Sequence, residues 1–231
     1  MKILALITAR GDSKRLPGKN ILPLGGKPMI VWSIDVVRDI PEICDILVST
    51  DSSDIASICK KNNAYVPWLR PKKLATDTSN SVDVAIHALD WYEKEKGLID
   101  GVLLLQPTSP FRTKHSIQKG IELYIKNNYK SVTGVSPTHS HPMWTFKMEG
   151  DCLIPFIQNH GFKTRSQDLL PAFILNGSFY LISPTKLRAC HSFVEEKSIP
   201  LIIDSPAESL DIDSAWDFKI AEFIVESMYE N

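Results

Sequence analysis

The sequence predicts an α/β fold: a three-layer, doubly wound, mostly parallel sheet carrying one inserted arm. Three observations lead there. Strand-like and helix-like segments alternate along most of the chain, and such units build a parallel sheet with helices on both faces. Segments 3–7 and 101–105 are unbroken apolar runs, as strands covered on both faces require. The 231 residues, 43% hydrophobic and 23% charged, suffice for one sizeable core and about one and a half domains, so residues 1–231 read as a single domain.

Residues 3–7 form the first strand. The run ends at Arg10, too soon for a signal peptide. A helix follows over 28–37, with Ile30, Ile34 and Val37 on one face. A second strand over 45–49 ends in Ser-Thr-Asp, and the helix 53–61 turns Ile55, Ile58 and Cys59 inward. Residues 65–68 read as a short edge strand stopped by Pro67 and Pro71. The amphipathic helix 80–95 carries Val82, Ala85, Ile86 and Leu89 at core spacing. Strand 101–105 ends abruptly at Pro107, and helix 114–126 follows with Ile117, Ile121 and Tyr124 inward. Strands 131–135, 173–182 and 201–203 and a closing helix 214–228 complete the order. That helix carries Phe218, Ala221, Ile224 and Met228 on one stripe. The alternation breaks over 137–171, which holds prolines, His139, His141, His160, Trp144 and Phe156. This stretch reads as an insertion, an arm for a partner subunit.

Composition removes several classes. The net charge of −1 argues against wrapping nucleic acid or coating an anionic membrane. No apolar run approaches the roughly 18 residues of a membrane span. Cys44, Cys59, Cys152 and Cys190 are scattered, so neither a zinc site nor a disulfide framework is expected, and the cytoplasm is the expected compartment.

In parallel sheets ligands bind beyond the carboxyl ends of the strands. Residues 8–20 leave the first strand with Arg10, Lys14, Arg15 and Lys19, two glycines and Ser13. Glycines let backbone N–H groups approach an anion that the cations neutralise, which suits a triphosphate. A solvated basic loop is the alternative, since the P-loop spacing is absent. In the loop 69–81, Arg70 can donate to a base carbonyl and Ser81 opens a helix, while Asp77, Thr78 and Asn80 read as helix caps. After 101–105, Pro107 and Pro110 make a rigid turn that leaves Gln106 and Arg112 facing the cleft, or else a plain turn with a surface arginine. Asp211 and Asp213 point to one side of an extended Asp-x-Asp, a pair that asks for a cation such as Mg²⁺. The alternative is that Asp213 or Ser214 caps the last helix. His87 reads as a satisfied helix residue, and Trp91 and Trp216 as core or subunit-contact residues.

The run from Ala9 to Asn20 resembles the signature loop of the acylneuraminate cytidylyltransferases, the CMP-sialic acid synthetases, including their CMP-legionaminic acid synthetase-like members. The resemblance continues through Val48-Ser49-Thr50-Asp51, Leu69-Arg70-Pro71, Asp77-Thr78, the run from Leu104 to Thr113, Asn176-Gly177 and Asp211-Ile212-Asp213, in the same order. It implies a nucleotide-diphospho-sugar transferase type of fold. The implied reaction is attack by the anomeric oxygen of a nine-carbon nonulosonic acid on the α-phosphorus of CTP, giving the CMP-sugar and pyrophosphate. By the same resemblance Arg10, Gly11, Ser13, Lys14 and Lys19 would hold the triphosphate. Asn20, Arg70 and Ser81 would read the cytidine. Gln106, Arg165 and Asn176 would meet the sugar acid. Asp211 and Asp213 would hold Mg²⁺, with Arg10, Lys19 and Asp211 closest to the chemistry. The arm would be the family's dimerisation arm, so a homodimer is implied.

Two departures concern the sugar. Ile174 stands where familiar sialic acid enzymes have an arginine, and Met143-Trp144 follow His141-Pro142 where some members have a lysine. Both changes make the sugar pocket more apolar, which suits a more deoxygenated acid such as legionaminic acid. The rivals are a Kdo cytidylyltransferase, another sugar nucleotidyltransferase, and a non-catalytic nucleotide-binding protein.

Overall fold

The computed structural model of the chain describes residues 1–76, 79–158 and 161–229. Asp77, Thr78 and His160 lie outside the described residues. In chain order the strands are β1 (Ile3–Thr8), β2 (Pro23–Leu24), β3 (Lys27–Pro28), β4 (Ile43–Ser49), β5 (Gly101–Leu105), β6 (Val132–Pro137), β7 (Phe146–Glu149), β8 (Cys152–Pro155), β9 (Phe173–Ile182) and β10 (Ile199–Ile202). The helices are α1 (Met29–Asp35), α2 (Ser53–Lys61), α3 (Ser81–Lys96), α4 (Lys114–Lys126), α5 (Pro184–Cys190) and α6 (Ala215–Tyr229).

Six strands form the main sheet in the order β10-β6-β9-β5-β1-β4. β1 pairs in parallel with β4 and β5, and β10 with β6. β9 runs antiparallel to both neighbours. β1 explains the three layers. Its side chains alternate, and both sets are buried: Ile3, Ala5 and Ile7 pack with Ile30, Ile34, Ile55 and Ile117, while Leu4 and Leu6 pack with Val82, Ala85 and Leu89. A third apolar group joins Leu24, Met29, Phe111 and Ile212 to Ala221 and Val225 of α6. Gly120 lets α4 lie close on the sheet, because a Cβ there would overlap the ring of Phe179.

Several expectations change in detail. Residues 65–68 make no strand: Tyr65 forms one isolated bridge with Leu47, and Pro67 follows, without a donor to continue the ladder. α5 was not expected; its seven residues are too few to show a period, although Ser183 caps it by accepting from Lys186 N–H at 3.4 Å. Trp216 is no core residue but 70% exposed on α6. Between β6 and β9 the chain leaves the main sheet. Its base is closed by Thr138 N–H donating to Ala172 O at 3.0 Å, and it carries the hairpin β7–β8. Met148, Leu153, Phe156 and Leu170 are exposed on this arm.

Candidate active site

Three cavities follow one another along the strand ends. One of about 200 Å³ is lined by Thr8, Arg10, Arg70 and Ser81. The next, about 170 Å³, shares Thr8 and Arg10 and adds Ser13, Lys14, Lys19, Asn20, Gln106 and Asp213. The last, about 500 Å³, shares Gln106 and adds Ile174, Leu175, Asn176, Tyr180 and Asp211. Arg10 thus joins the first two and Gln106 the last two.

The loop after β1 is shaped before any ligand arrives. Gly18 takes the left-handed conformation, φ 66°, which a side chain would resist, and opens the turn Lys19–Ile21. Lys19 Nζ then lies 2.8 Å from Asp213 and 3.3 Å from Ile212 O. Asn20 is buried, and its amide donates to Arg10 O at 2.9 Å. Asn20 lines the cavity of the basic loop, which adjoins the one with Arg70 through Thr8 and Arg10. Gly11 N–H donates to Asp51 at 2.9 Å, which commits a donor expected to face phosphate. Ser13 is buried with a hydroxyl that has no partner among the described residues, an orphaned group that a ligand would satisfy.

Arg70 is 7% exposed. Its Nε donates to Ser49 Oγ at 3.1 Å and a terminal nitrogen to Ser49 O. Burial lowers its pKa to about 10, with Asp51 opposing and Arg10 adding to the fall, so it remains a cation at neutral pH. Ser81 shares its cavity, and the helix behind is capped by Asn80, which accepts from Val82 N–H at 2.9 Å.

Arg112 corrects both expectations for it, since it is neither in the cleft nor on the surface but 6% exposed. It donates to Gln106 O at 2.6 Å, Ser109 O at 2.5 Å, Ser33 Oγ at 3.1 Å and Ser178 O. Burial lowers its pKa to about 9, opposed by Asp211 and Tyr180. It fastens the turn after β5 to β9 and α1.

Ile212 N–H donates to Thr108 O at 2.8 Å and seats the Asp-x-Asp segment at the end of β5. Asp213 pairs with Arg15 at 2.7 Å and Lys19 at 2.8 Å. The capping role falls to its neighbours: Ser214 Oγ accepts from Asp217 N–H at 3.3 Å, and Asp217 accepts from Ser214 N–H at 2.7 Å. Asp211 stays open to the cleft. Protein around it desolvates its carboxyl and, with the charge of Asp213, raises its pKa, while a Thr108 hydrogen bond opposes the rise.

At the far end Asn176 is buried and occupied. Its amide donates to Ser136 Oγ at 2.9 Å and its oxygen accepts from Ser178 Oγ at 2.7 Å. Arg165 lines none of the three cavities; it is exposed on the arm and paired with Asp168 at 2.9 Å. Within one chain, then, the structure does not bring Arg165 to the site. Sequence reasoning missed Tyr180, which lines the last cavity; a strand period counted from Ile174 and Asn176 does not reach it, because the pairing of β9 with β6 shifts register there and Gly177 takes φ 73°. His87, read as a satisfied helix residue, is not fully satisfied: its buried Nδ1 has no hydrogen-bond partner among the described residues, and its ring lies 4.9 Å from that of Trp68.

A sheet whose strand ends open onto a basic loop on one side and a recess without lysine or arginine on the other suits a protein that holds a nucleotide beside a second substrate. Similarity to known proteins narrows that class. The family described as Cytidylyltransferase matches residues 4–146. The chain is 39% identical to a CMP-N,N'-diacetyllegionaminic acid synthase of Legionella pneumophila, over 98% of this chain and 97% of that protein. It is 32% identical to an N-acylneuraminate cytidylyltransferase of Streptococcus agalactiae, over 94% of this chain and 52% of that protein. A solved CMP:2-keto-3-deoxy-manno-octonic acid synthetase complexed with CTP has the same fold, with a TM-score of 0.69 at 15% identity over 100% of this chain and 99% of that one. The chain belongs to the cytidylyltransferase family and is a nucleotidyltransferase.

Proposed function

We propose that the protein transfers CMP from CTP to the anomeric oxygen of a nonulosonic acid, with a legionaminic-type acid favoured over N-acetylneuraminic acid. The observation that carries this reading is the order of the three cavities, joined through Arg10 and Gln106. The cytidine would meet Arg70 and Ser81, the triphosphate Arg10, Ser13, Lys14 and Lys19, and the acid the recess beyond Gln106. Ile174 and Leu175 line that recess, which supports an acid carrying a methyl group.

In the transfer, a bond forms from the anomeric oxygen to the α-phosphorus and the bond to the β-phosphate oxygen breaks. Pyrophosphate leaves, and the proton of the anomeric hydroxyl passes to a base, for which Asp211 is our candidate because it lines the recess that begins at Gln106. Arg10 and Lys19 neutralise charge on the phosphates, so positioning and electrostatics supply most of the rate. The donor set of Asp211 and Asp213 fits Mg²⁺, which takes one or two carboxylates together with phosphate oxygens. Mg²⁺ would neutralise and orient the phosphates. Among the described residues no larger cluster of metal-ligating side chains competes with this pair.

A homodimer in the cytoplasm is the assembly and setting we propose. The exposed Met148, Leu153, Phe156 and Leu170 support a partner that covers the arm. Sedimentation of Met148→Asp with Leu153→Asp tests it, a monomer being the expected result. For the reaction, pyrophosphate release with CTP and Mg²⁺ is compared for legionaminate, N-acetylneuraminate and Kdo. Preference for a nine-carbon acid is expected. Turnover of Kdo alone overturns the nine-carbon assignment, and none with any acid overturns the reaction.

A further inference from the structure

We propose that His139 binds the carboxylate of the acceptor acid; this rests on the transfer reaction proposed above. The argument starts from charge. The acceptor is an anion, and the recess beyond Gln106 already holds the carboxylate of Asp211. A second carboxylate close to the first needs a cationic partner. Among the described residues lining the recess, none is lysine or arginine. His139 is the one whose side chain can carry positive charge.

The neighbouring donors are poor substitutes. The Asn176 amide is engaged with Ser136, and Gln106 offers a neutral amide. Hydrogen bonds from a cation to a carboxylate are about twice as strong as neutral ones. Lys19 and Arg15 are held by Asp213 in the cavity on the other side of Gln106.

The place of His139 is fixed by its neighbours. It follows the last residue of β6 by two positions. Thr138 N–H is tied to Ala172 O at 3.0 Å, and the Thr138 hydroxyl donates to Ser140 O at 2.9 Å. The turn is therefore anchored at the root of the arm. His139 itself has no hydrogen-bond or ion-pair partner among the described residues, so no internal role accounts for it.

The experiment is steady-state kinetics of the full chain with CTP, Mg²⁺ and the acid that the wild type turns over best. Its variants are His139→Ala, His139→Gln, His139→Lys and Arg165→Ala. The Ala and Gln variants are expected to raise KM for the acid about ten- to hundredfold and to leave KM for CTP unchanged. His139→Lys is expected to restore KM for the acid, a rescue that a merely structural role would not give. Unchanged KM for the acid in His139→Ala overturns the proposal, as does a loss that lysine fails to rescue. If Arg165→Ala alone raises KM for the acid, the cation comes from the arm and the proposal falls. Absence of turnover by the wild type overturns the parent reaction and this proposal with it, whereas turnover insensitive to His139 overturns this proposal alone.

Discussion

At the nucleotide end of the cleft Arg70 is 7% exposed and bonded to Ser49, whereas at the acceptor end Ile174 and Leu175 are more than half exposed. The first end is built from turns that follow core strands, and several of its polar groups are tied down within the chain. Asn20 holds Arg10 O, and Asp51 holds Gly11 N–H. The second end is built where β6 and β9 run out into the arm, and its walls face solvent. The contrast teaches a division of labour. The nucleotide end is preorganised by the core, so its charges keep their positions without a ligand. The acceptor end is left adjustable, which is where substrate identity is set.

The largest test of that contrast is at the junction. Asp211→Asn is expected to lower kcat for pyrophosphate release by about 10²–10³ while CTP still binds. A tenfold loss or less would remove Asp211 from the chemistry. Next is Arg112→Met, which removes the arginine donor from the carbonyls of Ser109 and Ser178 and leaves Gln106 O with only the Ser109 N–H. Urea denaturation is expected to show a loss of about 3 kcal/mol or more, since each buried acceptor left unpaired is costly. A loss under 1 kcal/mol, about the size of a single exposed hydrogen bond, would mean that Arg112 is not what holds the two ends together.

Ile174→Arg sharpens the comparison from the acceptor side. It replaces an apolar wall with a cation, and kcat/KM for N-acetylneuraminate relative to legionaminate is expected to rise about tenfold. An unchanged ratio would remove Ile174 from sugar selection. The smallest effect is at the cap of α6. Partial burial works to raise the Asp217 carboxyl pKa, but hydrogen bonds from Ser214 and Asp213 N–H win and hold it below the usual range. A depressed folded-state pKa gives stability that is present above the ordinary carboxylate range and lost as pH falls through the folded value. Asp217→Asn should therefore cost about 0.5–1 kcal/mol at neutral pH and nothing once the carboxyl is protonated, read from thermal melts across pH. A cost that persists in acid would assign the effect to shape rather than charge.

Much of the fold was legible because its signals are local. The run from Gly101 to Leu105 and the helical faces of Lys114–Lys126 and Ser53–Lys61 appear where their periods place them. The cavities lie at the strand ends after Thr8 and Leu105, because parallel strands all deliver their turns to one edge. The bridge at Tyr65 and the short α5 were less legible, since a few residues carry no period to read.

The sequence by itself determined the order of the elements, the basic loop after β1 and the Asp-x-Asp before α6, since spacing, capping and composition act over a few residues. Only the tertiary structure decided which polar groups are spent inside. Arg112 turned inward because Ser178, 66 positions away, presents a carbonyl to it, and Gly11 N–H went to Asp51, 40 positions away. The same long-range packing left Arg165 on the arm and brought His139 and Asp211 to the lining of one recess. Hydrogen bonds between distant segments depend on how the sheet brings strand ends together, and no local pattern records that.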